Sequence, residues 1–283
     1  TDGFTGDFLQ ESFFASLESA QRRVDRYAAN AAQAATDLTE LKHSSVKVAG
    51  GIGPVRFEPS QMTWLQRPTA QGIEVASRRF ADMMLKDQLN TVIASLVAAI
   101  ENQPTATNDV SATLGLNYTA MNGAHAKFGD HSGNIVADVM NGAAYHKLIE
   151  KNLTHGQQLF QASNVRVVDI LGKIAVVTDA PALFEAGTPN LIKVLSLTDA
   201  AAIVSGSGDV ISNIETVNGK NRIETTLQVD YSFGVGIKGY AWNEANGGKS
   251  PTDVELATGA NWTKVASSIK HTAGVITVAD SDK

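Results

Sequence analysis

From Phe13 onward, apolar residues recur at alternating spacings of four and three, as Phe13, Leu17, Ala20, Val24, Tyr27, Ala31, Ala34, Leu38 and Leu41. This heptad seam predicts one helix of about 30 residues, roughly 45 Å long. A second helical pattern (Ile73, Ala76, Phe80, Met84, then Leu85, Leu89, Val92, Ile93, Leu96, Val97 and Ile100) predicts another of similar length, from near Thr69 to just before Pro104. A compact chain of 283 residues is only about 50 Å across, so each helix would traverse the whole molecule. The first seam is narrow and three of its members are alanine, so whatever covers it must approach closely along its length. Burying its six larger groups is worth on the order of 10 kcal/mol, comparable to the roughly 5–15 kcal/mol net stability of a domain. Such a stripe has to be covered, either by the same chain or by identical neighbours. The order of arm, extended segment, long helix and then compact body favours neighbours, because extended elements at one end of a chain cannot all reach its own core.

Between the two helical patterns, 44–68 reads as a β-finger. Val46 to Val48 and Val55 to Pro59 are extended runs on either side of a bend at Ala49-Gly50-Gly51-Ile52-Gly53-Pro54, with Phe57, Met62, Trp64 and Leu65 adding apolar surface. Further on, 117–128 predicts a shorter helix, 134–140 a buried strand, and 142–153 a helix capped by Asn141. Strands are expected at 165–168, 173–177, 192–195 and 274–278. Asn218-Gly219 signals a two-residue hairpin, followed by strict alternation of Ile223, Thr225, Leu227, Val229, Tyr231, Phe233, Val235 and Ile237. The fold class is α+β.

The net charge of −6 and pI near 5.5 leave no global basic field for nucleic acid or an anionic membrane. The first 45 residues carry four basic and seven acidic side chains, so they are not a basic arm. The absence of cysteine excludes disulfides and thiolate chemistry. The most apolar uncharged stretch, 88–100, falls short of the roughly 20 residues that cross a bilayer, which predicts a soluble chain. His125, Asp130 and His131 form the one local histidine cluster, but its spacing straddles Gly129 and suits a metal poorly. His146 and Glu150, one turn apart, read as a surface pair. Gly206-Ser207-Gly208 resembles the start of a phosphate loop without the remaining glycine or the Gly-Lys-Ser/Thr. Neither a catalytic centre, a cofactor nor a metal is expected.

The run Gly129-Asp130-His131-Ser132-Gly133-Asn134-Ile135-Val136-Ala137-Asp138-Val139-Met140-Asn141-Gly142-Ala143-Ala144-Tyr145-His146-Lys147-Leu148, followed by Leu171-Gly172-Lys173-Ile174-Ala175-Val176-Val177-Thr178-Asp179, resembles the major capsid proteins of tailed bacteriophages with the Hong Kong 97-type fold. Many of those have His-Ser where Asn141-Gly142 stand here, which leaves the cap intact. The resemblance implies an N-terminal arm helix at 1–43, an extended β-loop at 44–68 reaching over a neighbour, a peripheral domain with a spine helix at 69–130, an axial domain at 131–250, and a return to the peripheral domain at 251–283. It implies hexamers and pentamers of an icosahedral virion shell, assembled in the host bacterial cytoplasm around genomic DNA bound without sequence specificity. A portal and decoration proteins are expected, together with a scaffolding protein that is a separate chain or has been cleaved off. Contacts between subunits would then use Phe13, Leu17, Val24, Tyr27 and Leu38 of the arm, with Phe57 and Trp64 as apolar anchors and Arg56 and Arg67 pairing with neighbouring carboxylates. Deleting 45–67 is expected to leave the compact body folded. Lys47, the single lysine of the loop, is not expected to form a crosslink. A nanocompartment shell is the alternative within this class, and a soluble enzyme using the loop at 206–208 is the alternative from another.

Overall fold

In a computed structural model of the chain, residues 8–14, 25–27, 29, 40–60, 69–154, 167–170, 173–219 and 221–283 are described. The alternating residues of 223–237 build the strand around which one of two sheets forms. β1 (Phe8–Phe14) pairs with β2 (Glu40–Phe57); nine further strands up to β11 include β9 (Ala202–Val217), β10 (Glu224–Ile237) and β11 (Tyr240–Trp242), followed by β12 (Trp262–Lys264). The first sheet runs β1-β2-β10-β11-β12, with β9 on the other side of β10. The second contains β3 (Thr107–Asp109), β4 (Ile135–Met140), β5 (Val167–Ile170), β6 (Lys173–Val177), β7 (Phe184–Glu185), β8 (Leu191–Thr198) and β13 (Gly274–Asp280), ordered β3-β13-β8-β4-β6-β5, with β7 on β8.

Helix α1 (Thr69–Glu101) lies against both sheets. Pro104 cannot continue it, and the Thr107 hydroxyl lies 3.1–3.2 Å from the terminal carbonyls of Ile100, Glu101 and Gln103. Its last three turns are buried nearly all round: Val92, Ile93, Leu96, Val97 and Ile100 join Phe80, Leu195, Phe233, Val235, Trp262 and Ile276 in one core. Glu74–Glu101 is apolar and long enough to cross a membrane, yet half of its most apolar window is enclosed by this protein. Helices α2 (Tyr118–Ala126) and α3 (Gly142–Thr154) start where their caps predict: Asn117 accepts from the Ala120 N–H and Asn141 from the Ala144 N–H, each at 2.7 Å. A second cluster of Leu116, Met121, Met140, Ala144, Leu148, Ala175, Ile192, Val194 and Ala279 packs between these helices and the second sheet.

Three expectations need correction. The arm helix fails at both ends, because Phe13 and Leu41, the limits of a predicted 45 Å rod, lie opposite each other as paired positions of β1 and β2. Long-range strand pairing has overridden a local 3.5-residue period; positions 15–24 and 30–39 lie outside the described residues. The finger does not turn back at 49–54: β2 is one strand that pairs with β10 from Val46 to Phe57, with a bulge at Gly53-Pro54 opposite Gln228. Its glycines serve a close approach, since a Cβ on Gly50 would stand 2.7 Å from the Tyr231 ring. Val46, Val48 and Ile52 are core residues, so removing 45–67 would take a strand out of the core, and the expected outcome becomes a destabilised body. Last, Gly206-Ser207-Gly208 is not a loop. It is a bulge within β9, where the register shifts between Tyr231 and Phe233, and the buried Ser207 hydroxyl donates to the Ser232 carbonyl at 2.8 Å.

Each sheet draws strands from both sides of residue 250. Residues 202–242 belong with β2 in the first sheet, and of 251–283, β12 joins the first sheet while β13 lies buried along its whole length in the second. The hairpin between β9 and β10 has a six-residue connection, 218–223, instead of two residues, with Val217 opposite Glu224. Trp242 and Trp262 face each other across β11 and β12 with ring centres 4.9 Å apart, and their indole N–H groups donate to the carbonyls of Gly248 and Leu256.

Charge pairs tie the elements together. Lys193, almost wholly buried on β8, places its ammonium 2.8 Å from Glu101 at the end of α1 and 2.8 Å from Glu185 on β7. Burial alone would lower its pKa, but the two carboxylates outweigh it and the net shift is upward. Several carboxyls are held below their ordinary values: Asp130 by the Lys270 ammonium, Asp209 by Lys47 and Ser232, Asp280 by the Asp282 N–H and Lys283, and Glu255 by the capping box with Thr252. Burial pushes Tyr240 up to about 12 and raises Tyr231, to which Asp87 adds.

Gly50→Ala is expected to lower the melting temperature, at a cost of about 1–3 kcal/mol from the clash with Tyr231. Gly206→Ala, with nothing within 4 Å of the added carbon, should leave it unchanged; equal effects of the two would contradict the assignment. Carboxyls with lowered folded-state pKa values stabilise the folded chain above the ordinary 3.8 (Asp) and 4.5 (Glu), and that stability is lost as pH falls through the lowered values. Groups raised in the folded state, Lys193 and the two tyrosines, contribute below their ordinary values of 10.5 and 10.0 and lose that contribution as pH rises further. Denaturant midpoints should therefore fall from pH 7 to pH 3 and again above pH 10; a midpoint that rises toward pH 3 would contradict the pairing.

Candidate assembly surface

The outer side of the first sheet and the front half of α1 carry apolar residues that the chain does not cover. On α1, the buried line of Val92, Ile93 and Leu96 continues toward the N-terminus as Leu89 and Leu85, which are exposed, the latter by 61%; Met83 and Val75 are exposed as well. The reason is length. A helix of 33 residues spans about 50 Å, and the packed body encloses only its last third. On β9 the exposed residues are Ile203, Val204, Val210, Ile211, Ile214 and Val217, and Val55 on β2 and Ile223 in the β9–β10 connection extend the patch. Exposed large apolar residues grouped on these elements are of the kind that marks an interaction site.

Of the sequence-predicted contact residues, Phe13 lies on β1 and Phe57 ends β2 opposite Thr225. Tyr27 is fully exposed. Arg56 is exposed at the sheet's outer face, where its guanidinium pairs with Glu224 of the same chain at 3.1 Å. Leu17, Val24, Leu38, Trp64 and Arg67 lie outside the described residues. Lys47 pairs with Asp209 across the sheet at 2.7 Å. The spacing of Gly206 and Gly208 gives no sign of the exposed apolar residues of β9; the β-branched run Val210-Ile211…Ile214…Thr216-Val217 is the signal that marks them.

Two polar clusters bear on catalysis. His125 on α2, Asp138 on β4 and Ser196 on β8 meet in the interior, with His125 Nε2 3.1 Å from Asp138 Oδ1 and 3.0 Å from Ser196 Oγ. The serine hydroxyl also donates to Asp138 Oδ1. All three are buried and contact one another, and the serine hydroxyl is turned to the carboxylate. The arrangement is a packing knot that joins α2 to the second sheet, unlike the serine–histidine–carboxylate relay order. A cavity of about 250 Å³ beside α1 is lined by Asp87, Asn90, Thr91, Asp253 and Leu256. Its Asp87 carboxylate accepts from the Tyr231 hydroxyl at 2.6 Å. Among the described residues no group of three histidine or acidic side chains is placed to hold a metal ion.

Solved structures with the same architecture are phage capsids. The capsid asymmetric unit of cyanophage Pam1 matches with a TM-score of 0.62 at 12% identity, covering 98% of this chain and 86% of that one. The head structure of Helicobacter pylori bacteriophage KHP40 matches at 0.57 and 10% identity, over 97% and 84% of the two chains. Mycobacterium phage Adephagia matches at 0.56 and 10% identity, over 98% and 86%. These matches show the Hong Kong 97-type capsid fold. A comparison with curated protein sequences gave no match. Residues 1–276 match the profile of the Gp13-like family, described as major capsid protein 13-like, and with that match over nearly its whole length the chain belongs to this family of major capsid proteins.

Proposed function

We propose that this capsid shell protein assembles as hexamers and pentamers of an icosahedral phage head, made in the host bacterial cytoplasm, that encloses genomic DNA without reading its sequence. The observation that carries this is the uncovered apolar surface on α1 and β9, which is too extensive for an isolated chain and is met by further copies of the same chain. The shell is its function, and catalysis is not part of it. The division into arm, extended loop, peripheral domain and axial domain remains part of this reading, with Tyr27 and Arg56 at subunit contacts. Phe13, Leu17, Val24, Leu38, Phe57, Trp64 and Arg67 are proposed for the same role. Portal, scaffolding and decoration proteins are the expected partners. Negative charge over the chain as a whole is compatible with a shell that encloses DNA without gripping it.

Electron microscopy of the purified chain, expressed alone and with its phage's neighbouring structural proteins, tests the reading. Closed particles with five-fold and six-fold clusters are expected, and particles holding a cargo enzyme in place of DNA would instead make it a nanocompartment shell. A single 30 kDa species under both conditions would overturn it.

A further inference from the structure

Among the described residues the first sheet ends on β1, β9 and the short β12. Among the described residues no strand pairs with the outer side of β1 or of β9. Every neighbouring pair in the order β1-β2-β10-β9 is antiparallel, so β9 runs opposite to β1. The β9 strand of one copy can therefore receive the β1 strand of the next as another antiparallel neighbour, with the alternation unbroken.

The edges differ in how they are guarded. Where β2 extends beyond β1, it carries Gly50, Gly51, Gly53 and Pro54, and Pro54 has no N–H to offer. The β9 segment 210–217 has no proline, lysine or arginine, and five of its eight residues are β-branched. Ile211 is 70% exposed and Val210 59%. A soluble monomer would leave such an edge open to aggregation, whereas a protein that works as many copies can use it.

The two-fold pairing of β9 with β9 that matches its apolar residues Val210 and Ile214 is disfavoured by charge. The register that sets Val210 opposite Ile214 of the second copy also sets Asp209 opposite Glu215 twice, and like charges directly opposite are destabilising. Head-to-tail pairing avoids this. The seven residues of β1 match 210–216 with Phe14 opposite Val210, Phe13 opposite Ile211, Ser12 opposite Ser212, Glu11 opposite Asn213 and Leu9 opposite Glu215, so no like charges meet.

We infer that β9 residues 210–217 are a strand-addition site for β1 of an adjacent copy, which joins subunits head to tail through a continuous sheet. The inference rests on the shell-forming reading and adds the contact through which neighbours join.

The chain contains no cysteine, so disulfide trapping has no background. Ser12→Cys with Ser212→Cys changes one atom at each site, and Phe13→Cys with Ile211→Cys probes the adjacent positions. Within one chain β1 and β9 are three strand spacings apart, at least about 14 Å, beyond the roughly 7 Å limit for a disulfide, so any link joins two copies. Mild oxidation of assembled particles of either double variant should give a reductant-sensitive ladder that extends past the dimer on a denaturing gel, with neither partner variant alone doing so. Dimers from Ser212→Cys alone would overturn the inference in favour of two-fold pairing. Normal particles with no links from either pair would overturn it and leave the capsid reading standing, while loss of the capsid reading would show as wild-type chains that form no particles.

Discussion

The inner face of β10 packed on α1 is the contact on which the rest of the molecule depends. Leu227, Tyr231, Phe233 and Val235 lie on that face, and Phe80 with the second half of α1 meets them. The contact is made specific at Tyr231, whose hydroxyl donates to Asp87 on the helix and whose ring takes the space left free by Gly50 on β2. One aromatic side chain thus sets the helix against the sheet and selects glycine on the neighbouring strand. The second sheet is locked to the same helix at its other end, where Lys193 bridges Glu101 and Glu185.

This arrangement explains why the molecule is complete in one region and open in another. Around the end of α1 both sheets close on it, and the residues there are buried on every side. Toward its start only the first sheet remains, so Leu85 and Leu89 face outward and β9 projects with both of its faces wet. Elements long enough to cross the body extend beyond it, and the parts that extend carry apolar residues. In a shell protein this is a division of labour: one half of each long element stabilises the subunit, and the other half is available to neighbouring copies.

Several elements could be read from local residues alone because the chemistry that decides them is local. Asn117 and Asn141 each cap the helix that follows, the run at 173–177 is a strand over those same residues, and the alternation up to Ile237 marks the core face of β10. The failures share one cause, which is that a distant partner decides the outcome. The spacing from Phe13 to Leu41 suits a helix, but those two positions pair across β1 and β2. Gly50 to Pro54 suits a turn, yet the constraint is the ring of a residue some 180 positions away. Gly206 and Gly208 suit a phosphate loop and instead form a bulge opposite Tyr231 and Phe233. The knot of His125, Asp138 and Ser196 has no sequence signature because its members come from three separate elements.

The exposed apolar edge of this subunit is proposed as a place for its own copies. Hydrogen exchange of the backbone amides of 210–217, measured on assembled particles and on the dissociated folded subunit, addresses it most directly. The account predicts strong slowing of exchange in that segment on assembly, with the amides of β13 slow in both states. Exchange at 210–217 that is equally fast in particles and free subunits would contradict it.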